Sequence, residues 1–121
     1  MGKQRPNVIR DKSFAFAIRI VGLYKYLSSE KREYVMSKQL LRSGTAIGAL
    51  VREAAHAESK ADFIHKMAIA QKEANETEYW LELLFQTEFL DNEQFEPISD
   101  DIKELNKILA SIIVSSKERY L

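Results

Sequence analysis

Cysteine is absent from this 121-residue chain. That removes disulfides, thiolate metal sites and thiol nucleophiles together, and it suits a reducing compartment. Proline occurs twice, at Pro6 and Pro97, and glycine four times, so little punctuates the chain. Net charge is missing too: 18 Lys and Arg balance 18 Asp and Glu. A zero balance argues against a dedicated polyanion binder, which needs a basic excess to neutralise phosphates. It leaves a local basic face open. No apolar run approaches the ~20 residues that span a bilayer, so no membrane contact is expected. Arg19 and Lys25 interrupt the apolar text after the N-terminus; no signal peptide is expected, and the expected location is cytoplasmic. The length favours a single domain over 1–121 that buries one core unaided.

What is present is helical periodicity. Four segments carry it and no alternating strand pattern occurs, so the expected class is all-α. A first helix over about 12–27 has Asp11 or Ser13 as its cap. Its apolar residues form three stripes: Ala17, Ile20, Tyr24 and Leu27; Phe14, Ile18 and Val21; and Phe16 with Leu23. A surface helix in a monomer needs only one, so this helix should be covered from more than one direction. The second, over about 33–56, has Leu40, Gly44, Ile47, Val51 and Ala54 as its core stripe. Its interior glycines, Gly44 and Gly48, suggest close approach of a neighbouring helix; a local break near 43–45 is the competing reading. The third, over 60–89, opens on Ser59 and Asp62, a capping box. It carries the seam Phe63, Met67, Ala70, Ala74, Thr77, Leu81 and Leu84. The fourth, over 95–118 with its start between Asn92 and Pro97, carries Ile98, Ile102, Leu105, Leu109 and Ile112. Short connections then predict a left-handed, antiparallel up-down-up-down four-helix bundle. Its expected core includes Phe63, Ala70, Ala74, Ile47, Val51, Ile102, Leu105 and Leu109.

Chemistry is sparse along this text. Glu53 with His56 and Asp62 with His65 have the Glu-x-x-His look of di-iron bundles. Both pairs flank one turn, however, and the first and fourth helices offer no inward carboxylate. No metal, cofactor, catalytic residue or small-molecule substrate is expected. Lys72, Glu73 and Glu76 read as helix-surface ion pairs. The bases are unevenly spread: the first 52 residues hold most of them, from Lys3 and Arg5 to Arg52, and few of the acids, whereas Glu73 to Glu96 is acidic. That gives one half a positive potential. Arg10, Arg19, Lys25, Arg42 and Arg52 are the candidate nucleic-acid contacts, with Tyr24, Tyr26 and Tyr34 placed to stack on bases. Self-association is expected as well, through the surplus apolar faces of the first helix and through Trp80 and Leu83.

Several stretches together resemble the small proteins encoded by intervening sequences of bacterial 23S ribosomal RNA genes. They are Ser13-Phe-Ala-Phe-Ala17, Gln39 through Gly48, Arg52-Glu-Ala54, Glu58 through Phe63, Lys72-Glu-Ala74, Glu76-Thr77 and Tyr79-Trp-Leu81. The resemblance implies a four-helix bundle assembled as a ring-like homopentamer, with no established enzymatic activity. It extends to accessory proteins of diversity-generating retroelements, strongly basic pentamers that engage a reverse transcriptase and template RNA. This chain departs from those in its zero net charge. The expected function is a non-enzymatic homo-oligomeric scaffold whose partners are itself and RNA or an RNA-handling protein. The alternative is a protein-binding adaptor without nucleic-acid contact.

Overall fold

Four helices and no strand occur among the described residues, 7–120 of a computed structural model. They are α1 (Val8–Ser29), α2 (Met36–Ala54), α3 (Lys60–Gln86) and α4 (Asn92–Tyr120). Lys3 and Arg5 lie outside the described residues. Each helix packs on two neighbours, α1 on α2, α2 on α3, α3 on α4 and α4 back on α1. The pairs α1–α3 and α2–α4 have no close backbone approach. This cyclic order is that of a four-helix bundle. The α2–α3 seam is the most extensive and the α1–α4 seam the thinnest. Among the described residues no helix is long and apolar enough to cross a membrane.

Core composition follows the helical spacing. On α2, Leu40, Gly44, Ile47, Val51 and Ala54 are all buried; on α3, so are Met67, Ala70, Ala74, Thr77, Leu81 and Leu84. Phe63 is different. It packs half-buried at the edge of the core and lines a surface groove with Ile112 and Ser115. Along α4, Ile98, Ile102, Leu105 and Leu109 are buried, and the next core residue is Ile113 in place of Ile112. A strict alternation of four and three averages 3.5 residues per turn, whereas the straight helix needs 3.6, so the inward face drifts by one position over several turns.

Caps set the element ends and move several of them. Helix α1 starts at Val8 because the Asn7 side chain accepts the Arg10 N–H at 3.1 Å. Helix α2 starts at Met36, three residues later than the spacing predicts, because Glu33 caps it from the loop. The Glu33 carboxylate accepts N–H bonds from Val35 at 3.1 Å, Met36 at 2.9 Å and Ser37 at 2.7 Å. The Ser37 hydroxyl returns a bond to the Glu33 carbonyl at 2.7 Å. Burial alone would raise the Glu33 carboxyl, but the three backbone donors outweigh it and hold it below the ordinary range. Ser59 accepts the Asp62 N–H at 3.0 Å, as the capping box predicts. Helix α3 ends at Gln86, earlier than expected, in a left-handed closing turn at Glu88 (φ 70°). There the Phe89 N–H bonds the Leu84 carbonyl at 2.9 Å. Asp91 and Gln94 then bond each other's backbone N–H at 2.8 and 3.0 Å, which starts α4 at Asn92 and leaves Pro97 in its second turn.

Helix α2 runs unbroken through 43–45, and its glycines mark a close approach. A Cβ on Gly44 would lie 2.9, 3.0 and 3.1 Å from three side-chain carbons of the fully buried Ile20. On Gly48 it would meet the Ser13 carbonyl oxygen at 3.4 Å. On Gly22 it would meet nothing within 4 Å. Two alanine substitutions should therefore shift stability in opposite directions. Gly22→Ala gains roughly 0.5–1 kcal/mol of helix propensity. Gly44→Ala gains the same but crowds every branch of Ile20, and overpacking costs ~1–3 kcal/mol, so a net loss is expected. Urea midpoints decide it: a Gly44→Ala midpoint raised as much as that of Gly22→Ala would refute the close contact.

Candidate functional site

Helix α1 turns Ile9, Ser13, Phe16, Ile20 and Leu27 inward. The stripe Phe14, Ile18 and Val21 is left outside, 51%, 59% and 37% exposed. Arg10 and Lys25, both exposed, continue the same line at its two ends, at helical spacings of four residues. Between them Arg52 reaches over from α2, with its guanidinium carbon 4.8 Å from the centre of the Phe14 ring. A cation on an aromatic face is attracted by the ring quadrupole and shields part of it from water. The result is an apolar band on α1 with basic residues at both ends and along one side.

A second constellation lies between α2 and α3. Arg42 bonds Glu73 at 3.2 Å and Glu76 at 2.6 Å. The Trp80 indole N–H donates to the same Glu76 oxygen at 3.0 Å. The bonds from Arg42, then that from Trp80, hold the Glu76 carboxyl below its ordinary range. Next to them the buried hydroxyls of Thr77 and Ser43 hydrogen-bond across the helices at 3.0 Å, and Thr77 donates to the Glu73 carbonyl at 2.8 Å. Exposed ion pairs contribute little to stability. A buried pair of hydroxyls, by contrast, helps specify how the two helices register, since a slip would break the Ser43–Thr77 bond and leave each hydroxyl only the carbonyls of its own helix. The text around Arg42-Ser43-Gly44 and the text from Glu73 to Trp80 are thus two halves of one cross-helix lock.

The five sequence-predicted cations divide accordingly. Arg10, Lys25 and Arg52 gather around the α1 band. Arg42 is held by carboxylates on the α2–α3 side. Arg19 is bonded to Asp101 across the α1–α4 seam, where Lys12 also meets Glu104 at 3.1 Å. Those two seams lie on opposite sides of the bundle, so Arg19 and Arg42 belong to different surfaces. Tyr24 and Tyr26 are half-buried, whereas Tyr34 is exposed. Glu53, His56 and His65 are exposed; Glu53 lies 3.7 Å from the Lys66 ammonium, and Asp62 serves the cap of α3. Among the described residues no three His, Asp or Glu side chains gather at metal-binding geometry. Two features are not marked by the sequence. Glu33 has the pattern of a first-turn helix residue, and Tyr79, 56% exposed with its ring edge-on to Trp80 at 5.0 Å, is indistinguishable in the sequence from a half-buried neighbour of Trp80.

Comparison with known proteins adds the lineage. Residues 5–111 match the family profile described as 23S rRNA-intervening sequence protein. A crystal structure of a protein of unknown function from the S23 ribosomal protein family of Bacteroides thetaiotaomicron VPI-5482 shares 63% sequence identity and superposes with a TM-score of 0.86. That match covers 87% of this chain and 97% of the other. No curated protein matches. By a profile match over most of its length, joined to a close structural relative, the chain belongs to the 23S rRNA-intervening sequence protein family.

Proposed function

We propose that the protein is a non-enzymatic, single-domain cytoplasmic scaffold that assembles with copies of itself through the exterior of α1. One observation carries this reading: Phe14, Ile18 and Val21 stand outward in line on a helix whose opposite face is already buried. Contiguous apolar bands of this kind mark partner surfaces. The ion-pair registers support an antiparallel up-down-up-down bundle beneath it. Lys12 meets Glu104 while Arg19 meets Asp101, and Arg42 meets Glu76 while Glu53 meets Lys66. In each set, rising numbers on one helix pair with falling numbers on the other. A ring of five is the assembly the family resemblance favours, and closed symmetric homo-oligomers are the common outcome of such surfaces. Light scattering tests it. The expected mass is a multiple of the 14.0 kDa chain, and Ile18→Asp should reduce it to the monomer. A monomeric natural protein would overturn the scaffold reading.

A second reading is favoured by the α1–α2 turn. Lys25, Lys31, Arg32 and Lys38 are all exposed there beside the exposed Tyr34, and none is in an ion pair among the described residues. Bases interleaved with an aromatic suit a single-stranded RNA. With Arg10 and Arg52 they extend a basic surface over α1 and α2. Four phosphate contacts would lose roughly 50-fold in affinity between about 50 and about 200 mM salt. An RNA titration at both salts is the measurement. Absent or salt-indifferent binding would leave the protein-binding adaptor in place of this reading.

A further inference from the structure

The geometry points to a specific pairing of unlike surfaces, and it rests on the self-assembly proposed above. We propose that the basic-ended apolar band of α1 in one copy seats on the acid-flanked aromatic face of α3, centred on Tyr79, in the next copy. The first half of the match is the band of Phe14, Ile18 and Val21 with Arg10, Lys25 and Arg52 around it. Gly22 adds a shallow seat alongside, since its Cα carries no side chain and nothing lies within 4 Å of where one would be. A band of this shape accepts a flat, rigid side chain.

Tyr79 supplies that side chain. Among the described residues it is the one large apolar side chain that α3 exposes. Its ring is braced edge-on by Trp80 at 5.0 Å, and Trp80 is fixed in turn by its bond to Glu76 at 3.0 Å. A pre-ordered aromatic loses little conformational freedom on binding, and Tyr, Trp and Arg dominate interface energetics for that reason among others. Glu76 and Glu82 stand three residues before and after Tyr79, on its own face of the helix. Glu82 is exposed and enters no ion pair among the described residues. The α1 band is therefore apolar with positive surroundings, and the α3 face is aromatic with the unpaired Glu82 at its side, Glu76 being already bonded to Arg42. Complementary potentials of this kind select a partner and its register.

Topology decides what such a match builds. Helices α1 and α3 are a non-neighbouring pair, so their outer faces point away from one another. One copy cannot join its own two faces. Nor can a two-fold axis bring both pairs of faces into one interface. Each copy must give one face to the copy before it and the other to the copy after, which is a heterologous contact that closes as a ring or runs on as a filament. The zero net charge then has a role. The chain is split into a basic first half and an acidic second half, and head-to-tail contact brings the two together.

Complementation by mixing tests the pairing. Ile18→Asp spoils the α1 band and keeps the α3 face; Tyr79→Asp does the converse. Both sites are exposed, so both variants should keep the natural far-ultraviolet circular dichroism, and Tyr79→Ala replaces Tyr79→Asp should the latter lose it. Each variant alone is expected to sediment as a monomer. An equimolar mixture, examined up to millimolar protein, is expected to give a heterodimer and nothing larger, because one intact band meets one intact aromatic face. Natural-size assemblies of the Tyr79 variant would overturn the pairing, as would a mixture that stays monomeric. A natural protein that is itself monomeric would instead remove the self-assembly on which the pairing rests.

Discussion

Leu105→Asp is expected to leave the protein unfolded. Leu105 is 2% exposed at the middle of the α4 core stripe. Removing its side chain to the β-carbon would cost about 2–5 kcal/mol by lost burial and a cavity. An aspartate there adds a carboxylate with no buried partner, at several kcal/mol more. Small domains are stable by only about 5–15 kcal/mol in total, so the sum consumes most or all of that margin. Circular dichroism and a thermal melt decide between outcomes. A helical Leu105→Asp protein with an unchanged melting temperature would take Leu105 out of the core. Leu105→Ala should remain folded with a lowered midpoint, which separates loss of packing from burial of charge.

Glu33→Ala carries the second large effect. One carboxylate accepts the Val35, Met36 and Ser37 N–H groups, so its removal unpairs three donors at the start of α2. Loss of a single cap costs about 0.5–2 kcal/mol, and a buried donor left unsatisfied costs about 1–3 kcal/mol. A loss near the upper part of that range is expected. The pH dependence has a definite sign. In the folded protein the Glu33 carboxyl is held below its ordinary 4.5, so folding favours the ionised form. Its contribution is complete above the unfolded value and disappears as pH falls through the lower folded value. The gap between Glu33→Ala and the natural protein should be widest near neutrality and should narrow below pH 4.5. Denaturant titrations at a series of pH values measure it. A gap that widens on acidification would show that the carboxylate is not the cap.

The parts of this molecule that were legible in its sequence are those governed by one helix at a time. The stripes on α2 and α3 could be read because Leu40, Ile47, Val51, Ala70 and Ala74 recur at helical spacing and are buried as that spacing demands. The capping box at Ser59 could be read because both partners lie within one turn. Where a second helix or a loop decides, the text is silent. Arg19 and Arg42 looked like cations available to phosphate, yet their partners Asp101 and Glu76 sit 82 and 34 residues away. Glu33 looked helical because glutamate is a good helix former, and nothing in Ser-Ser-Glu-Lys-Arg-Glu marks which acid turns back to cap the following helix. Ile112 and Ile113 differ by one position at the end of a long stripe, where a small error in the assumed period has accumulated. Tyr79 is not marked either, because a tyrosine between Glu78 and Trp80 looks the same in sequence whether it points in or out.

The thin seam between α1 and α4 has a dynamic consequence. That seam is bridged at its rim by Lys12–Glu104 and Arg19–Asp101, whereas α2 and α3 are joined by their longest contact and by the Ser43–Thr77 pair. Proteins open in cooperative pieces whose free energies follow local burial. Amide protons of the α2–α3 hairpin should then exchange with solvent deuterium only on global unfolding. Those of α1 facing the seam should exchange by a smaller opening, one that salt accelerates by screening the two rim pairs.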